Sequence, residues 1–214
     1  VRWQLPRETE RPYTAYKAVD AVFNRFGGFI RPAQFKEEIL GLAQLVEALR
    51  PKTVLEIGTS TGGTFFIWSR LAEKDALLIS IDLPGGESDW AYPRWKEPFY
   101  KTFASKGQNI ELIRGDSHSR EIVAQLEKVL AARKVDFLFI DGDHSYDGVK
   151  KDYDLYAPFV QKGGIIAFHD IVEFPESTKV KVKDFWDEAK KDKDFKEFIN
   201  DSQQDWGGIG VLFV

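Results

Sequence analysis

Two periods organise the apolar and polar positions of this chain. Near-continuous apolar runs fall at residues 54–57, 76–82, 135–141, 163–170 and 207–214. More polar versions lie at 195–199 and at 109–117, where a strand runs into a turn. Short runs rich in Val, Ile, Leu and Phe, bounded by turn residues, predict buried strands. Between them apolar residues recur at helical spacing, predicting helices over 13–26, 32–49, 64–71, 96–105, 119–133, 147–159 and 180–192. The first carries Tyr16, Val19, Val22, Phe23 and Phe26 on one side and stops at Gly27-Gly28. The second turns Phe35, Ile39, Leu42, Ala43 and Val46 inward and ends at Arg50-Pro51, because the residue before a proline is pushed out of the helical region. Alternating strands and helices with apolar strands predict an α/β fold, a mostly parallel sheet covered on both faces. We read residues 1–214 as one domain: an arm and two N-terminal helices to residue 50, then the core from 51 to 214.

In such a sheet, ligands sit at the C-terminal ends of the strands. Glu56, Asp82, Asp116, Asp141 and the pair His169-Asp170 all fall at or just after predicted strand ends. Five polar strand ends converging on one crevice point to a site. The first strand breaks into Glu56-Ile57-Gly58-Thr59-Ser60-Thr61-Gly62-Gly63, followed directly by a helix. Glycines there let the backbone adopt φ > 0 or approach a ligand, and a helix N-terminus offers unpaired N–H groups. The spacing Glu-x-Gly-x-x-x-Gly differs from the dinucleotide fingerprint, and no Lys-Ser/Thr pair follows, which excludes a Walker-type phosphate loop. Asp82, at the end of the second strand, is placed to accept hydrogen bonds from ribose hydroxyls, or to form a strand-end turn.

This turn resembles that of the class I S-adenosylmethionine (SAM) dependent methyltransferases. The resemblance implies a Rossmann-like, doubly wound, seven-stranded sheet with N-terminal capping helices. It implies that Glu56, Gly58, Thr59, Ser60 and Gly62 surround the methionine part of SAM, with Asp82 on the ribose, Asp116 on the adenine amino group and Ser117 assisting.

A second constellation follows the fourth and fifth strands. All three histidines, His118, His144 and His169, fall at strand ends or turns. If strands four and five are neighbours, ~4.8 Å apart, Asp141, His144, His169 and Asp170 can converge into an oxygen/nitrogen site for a divalent cation. The stretches Phe139-Ile140-Asp141-Gly142-Asp143-His144-Ser145-Tyr146 and Gly163-Gly164-Ile165-Ile166-Ala167-Phe168-His169-Asp170 are similar to the metal-dependent O-methyltransferases. The similarity is greatest to the branch that includes macrolide-sugar methyltransferases and cephalosporin-cluster proteins. It covers residues 53–171 and implies Mg²⁺ on Asp141, His169 and Asp170, with His144 as general base. His169 stands where that branch has an acid, which leaves the metal's identity open. For His118 the expectation is an exposed helix-start residue.

The implied activity is methyl transfer from SAM to a hydroxyl of a small molecule or sugar. Two alternatives stay open: a metal-independent methyltransferase using His144 or His169 as base, and a non-catalytic SAM- or nucleoside-binding protein. The loop at 83–96 carries Trp90, Tyr92 and Trp95, which either hold a ligand or fold back as a plug. The N-terminal helices either pack on the sheet or cap the acceptor, and their aromatic faces could pair subunits in a homo-oligomer.

Composition narrows the partners. A net charge of −4 and the absence of an Asn/Asp-Pro-Pro-Tyr/Phe motif argue against nucleic acid. With no Cys, disulfides and thiolate chemistry are excluded. Nothing approaches the ~18 apolar residues of a membrane span, and the first residues have no apolar core, so a cytoplasmic protein is expected.

Overall fold

The computed structural model describes residues 13–85 and 91–214. The expected arm and Trp90 lie outside them. The seven strands are β1 (Thr53–Ile57), β2 (Leu77–Asp82), β3 (Asn109–Arg114), β4 (Val135–Ile140), β5 (Val160–His169), β6 (Phe195–Phe198) and β7 (Ile209–Phe213). They form one sheet in the order β3-β2-β1-β4-β5-β7-β6. Strands β1 to β5 pair in parallel, and β7 runs antiparallel to both β5 and β6. The winding reverses between β1 and β4, the switch point where such a sheet opens a crevice at its C-terminal edge.

Side-chain alternation builds two cores. Val54, Phe137, Phe139, Ile165, Ala167 and Val211 face one side, under α1 (Ala15–Asn24), α2 (Lys36–Leu49) and α3 (Gly63–Leu71). Their neighbours Leu55, Leu138, Ile140, Ile166, Phe168 and Leu212 face the other, under α5 (Arg120–Leu130), α6 (Tyr146–Tyr156) and α7 (Val182–Ala189). Each strand is apolar on both faces because each face has its own layer of helices. The two N-terminal helices share the first core, so they pack on the sheet as well as reaching its edge. Several helices start where a hydroxyl caps a free N–H: Thr14 accepts from Lys17, Ser119 from Glu121 and Ser145 from Gly148.

The helix expected over 96–105 is shorter. A 3₁₀ turn at Arg94–Lys96 leads into α4 (Glu97–Lys101), and the chain leaves the helix at Thr102. The Thr102 hydroxyl donates to the Phe99 carbonyl at 2.6 Å, a local bond that competes with helix continuation. Strand β5 begins three residues earlier than expected because Val160 pairs with Val135. Among the described residues no helix is long and apolar enough to cross a membrane.

Candidate active site

The turn after β1 is shaped by close approach. Gly58 has φ +85°, and a Cβ there would lie 1.9 Å from the carbonyl oxygen of Asp141. Only glycine lets the ends of β1 and β4 meet this tightly. Gly62 has φ +86°, and its missing side chain makes room for the Tyr100 ring. Asp82 pins the turn from the next strand: its Oδ2 accepts from the N–H of Thr59 at 3.0 Å and of Ser60 at 2.7 Å. Burial pushes the Asp82 carboxyl up to about 6, against the opposing pull of these bonds. Helix α3 starts on Gly62 with no side-chain cap. Its first-turn N–H groups and dipole therefore favour an anion in front of it.

Glu56 is placed differently from its neighbours. Its side chain is buried in the first core, where Oε2 accepts from Trp68 Nε1 at 2.7 Å and Oε1 has no partner. Burial raises its carboxyl to about 8, only partly offset by bonds from Thr64 and Trp68. It sits in the core as a neutral acid at pH 7.

Beyond β3, Asp116 is exposed, and its Oδ1 accepts the His118 N–H at 2.8 Å. The Ser117 hydroxyl donates to Oδ1 of Asp152 at 2.7 Å. His118 Nε2 lies 3.3 Å from the same oxygen, and its side chain is 15% exposed. The expectation of an exposed His118 is therefore corrected: Asp152, wholly buried on α6, draws it in. In the loop before α4, Tyr92 is 1% exposed, packed edge-on against Tyr100 with the Arg114 guanidinium over its ring at 4.4 Å. It folds back as a plug, whereas Trp95 is 60% exposed.

The polar ends of β4 and β5 converge. Asp141 Oδ1 lies 3.1 Å from His169 Nδ1 and 3.4 Å from His144 Nε2. The other face of His144 meets Asp170 Oδ2 at 3.0 Å, and Asp170 Oδ1 lies 3.2 Å from His169 Nδ1. Asp170 reaches inward from a left-handed backbone, φ 64°, and accepts the Gly207 N–H at 3.2 Å. Burial would raise the Asp141 carboxyl, but the charges and hydrogen bonds of His169 and His144 hold it well below the usual carboxylate range. Burial would lower His144, but bonds to Asp141 and Asp170 prevail and push it up to about 11.

One ligand atom each from Asp141, His144 and Asp170 lies within 4.8 Å of the other two. Two carboxylates and an imidazole at this separation fit a divalent cation that keeps open positions. His144 thus joins the set in which His169 was expected. His169 lies buried against both acids, and its Nε2 has no partner.

Sequence reasoning missed three residues here. Gln34 donates from Nε2 to Asp141 Oδ2 at 2.8 Å. Asp152 lies on the buried stripe of α6 with Val149 and Tyr156, and Glu38 on that of α2 with Leu42. An acid at a stripe position was the available signal for both. For Gln34, 107 residues from its partner, there was none.

Comparison with known proteins gives this geometry a family. A protein of Acanthamoeba polyphaga mimivirus, described as uncharacterized, is 34% identical over 131 residues, 60% of this chain and 55% of its own length. The "probable caffeoyl-CoA O-methyltransferase 3" of Dictyostelium discoideum is 28% identical over 131 residues, 61% of this chain and 48% of its own. The chain thus spans about half the length of these curated relatives. In fold it is similar to the crystal structure of the O-methyltransferase TomG from Streptomyces achromogenes, in complex with SAM and involved in tomaymycin synthesis. The TM-score is 0.63 at 16% identity, covering 96% of this chain and 91% of that one. A methyltransferase domain family matches residues 55–171, more than half of the 214. That span runs from β1 past the end of β5 and holds the glycine turn, Asp82, Asp116 and the Asp141–His144–Asp170 cluster, and this chain belongs to that family.

Proposed function

We propose that the chain transfers the methyl group of SAM to a hydroxyl oxygen of a small-molecule acceptor, with a divalent cation held by Asp141, His144 and Asp170. One observation carries this reading: the three ligand atoms meet at the ends of β4 and β5, and the Asp141 backbone touches the glycine turn of β1. Cofactor turn and cation cluster share a wall, as aligning a donor with an acceptor demands. The uncapped start of α3 and the Thr59-Ser60 turn suit the methionine carboxylate, Asp82 the ribose hydroxyls, and Asp116 with Ser117 the adenine. The TomG complex with SAM and the name of the Dictyostelium relative support the same assignment. A bound cation would supply Lewis acidity, lowering the pKa of the acceptor hydroxyl.

Metal-free transfer has one observation in its favour: each carboxylate already faces imidazoles, so the cluster is balanced without an ion. That pairing also engages both ring nitrogens of His144, which leaves neither free to take a proton from an acceptor hydroxyl. The cation reading is therefore preferred.

The test is calorimetric titration of S-adenosylhomocysteine (SAH) and, separately, of Mg²⁺ and Mn²⁺ into metal-stripped protein. Asp82→Asn should weaken SAH about tenfold or more by removing a charged acceptor and leave the cation heat unchanged. Asp141→Asn should abolish the cation heat and spare SAH. No SAH binding by folded protein rejects the assignment. SAH binding without turnover on any hydroxyl acceptor makes the chain a binding protein.

A further inference from the structure

The segment between α1 and α2 is fixed at both ends. The Ile30 carbonyl lies against Gly63, where a Cβ would come within 2.2 Å of its oxygen, and the Arg31 carbonyl accepts from Thr61 Oγ1 at 3.0 Å. Helix α2 then begins at Lys36, and the Ile39 N–H bonds back to the Phe35 carbonyl at 3.0 Å. Gln34 stands between these points, 5% exposed, and donates from Nε2 to Asp141 Oδ2 at 2.8 Å. A carboxylate only accepts, so the amide nitrogen faces it, and the amide oxygen is left buried without a partner. An orphaned buried acceptor costs about 1–3 kcal/mol, which an apolar side chain of similar size would avoid. Fold stability therefore does not account for an amide at this position. Its effect on Asp141 does.

The bond gives the two oxygens of Asp141 different tasks. Oδ1 is the one that meets the imidazoles, 3.1 Å from His169 Nδ1 and 3.4 Å from His144 Nε2. Oδ2 is held by an amide whose backbone is anchored on either side. Asp170 is divided in the same sense: Oδ1 accepts the Gly207 N–H at 3.2 Å, and Oδ2 faces His144 Nδ1 at 3.0 Å. Each acid turns one oxygen toward His144 and keeps the other on a protein N–H. That division decides which cation fits. Ca²⁺ takes about six to eight ligands at about 2.3–2.6 Å in flexible geometry, often both oxygens of one carboxylate. Mg²⁺ demands a near-ideal octahedron at about 2.0–2.1 Å and keeps several waters, so one oxygen from each acid suits it.

We infer that Gln34 is a positioning residue: it holds Asp141 as a one-oxygen ligand and so makes the cluster select a small octahedral cation, of the Mg²⁺ or Mn²⁺ kind, over Ca²⁺. The inference rests on the cation reading of the cluster. The Gly207 N–H does for Asp170 what Gln34 does for Asp141, but it belongs to the backbone. Gln34 acts through its side chain, so substitution can remove the constraint and leave all three proposed ligands in place. The same segment is bonded to Thr61 in the glycine turn, which fixes the amide relative to the cofactor side as well.

The test is calorimetric titration of Mg²⁺, Mn²⁺ and Ca²⁺, each alone, into metal-stripped wild type and Gln34→Met, with SAH titrated separately. The wild type should bind Mg²⁺ and Mn²⁺ in preference to Ca²⁺. Gln34→Met should weaken Mg²⁺ and Mn²⁺ about tenfold or more, the usual effect of removing a partner that orients a ligand. Ca²⁺ should bind unchanged or tighter, because the released Oδ2 becomes a second ligand atom for the larger ion. SAH affinity should stay the same. Equal weakening of all three cations, no change in any, or a wild type that prefers Ca²⁺ overturns the inference. So does loss of SAH affinity together with the cations, which would make Gln34 a support of the segment. If Gln34→Met does not fold, infrared difference spectra of the wild type, Mg²⁺-loaded minus metal-stripped, decide. One-oxygen binding widens the gap between the antisymmetric and symmetric carboxylate stretches; a narrowed gap means two-oxygen binding and overturns the inference. A folded wild type that binds no cation rejects the cation reading and this inference with it. Cation binding with the same order of preference in Gln34→Met rejects this inference alone.

Discussion

At the residue scale, Glu56 is the most exposed to test because its environment opposes its charge. Unfolded, its carboxyl titrates near 4.5; folded, burial carries it to about 8. Between those values the folded chain holds one proton more than the unfolded chain, so stability falls as pH rises. Glu56→Gln keeps an oxygen for Trp68 and removes the titration. Relative to wild type it should gain at most about 1.4 kcal/mol per pH unit across that window and nothing further above it. Urea denaturation of both proteins from pH 5 to 9 measures the difference, and parallel curves refute the buried, neutral acid. The sequence marked Glu56 as a strand-end acid like Asp82, and nothing local separates the two. What does is pleat direction: Glu56 points toward Trp68, twelve residues along, and Asp82 toward the turn. Asp141, His144 and Asp170 were legible because they follow strand ends, where side chains must gather. That His144 rather than His169 groups with the two acids depends on ring orientation, which spacing does not encode.

At the element scale, the junction of α2 with the 200–208 loop rests on one buried acid. Glu38 is the only described side chain that accepts from Asn200, Gln204 and Gly208 together. Glu38→Ala strands the buried Gly208 N–H and frees the loop, at a cost of about 2–4 kcal/mol. Amide exchange should quicken across residues 200–208 and stay unchanged in β1 and β4; uniform quickening would show that Glu38 supports the whole fold instead. Helices and strands themselves were readable from periodicity, since each buries a stripe or a face against a separate core. The misjudged helix at 96–105 has the right spacing of Phe99, Tyr100 and Phe103, all buried, without regular helix to carry it. The loop at 83–96 could not be decided from composition, because an aromatic that plugs and one that faces solvent look alike until Arg114 and Tyr100 are placed around Tyr92.

At the scale of the molecule, the sheet order puts the two halves of the proposed site on either side of one seam. Strands β1 and β2 carry the glycine turn and Asp82; β4 and β5 carry the cation cluster. Which strand reverses was invisible in the sequence, because a strand buried on both faces reads the same in either direction, and only pairing shows β7 antiparallel. The seam itself is the contact of Gly58 with the Asp141 backbone, joined by the Asp141 N–H to the Ile57 carbonyl at 2.9 Å. Ligands on either half stabilise the folded chain by mass action, about 2.7 kcal/mol at one hundred times Kd. For a chain of this length that corresponds to a rise in Tm of about 5–10 °C. SAH and Mn²⁺ should each produce such a rise in a thermal melt. Asp82→Asn should shrink the SAH shift alone, and Asp141→Asn the Mn²⁺ shift alone. Because the seam is shared backbone and the side chains are separate, a variant that loses both shifts while remaining folded would contradict a two-part site and favour a single pocket.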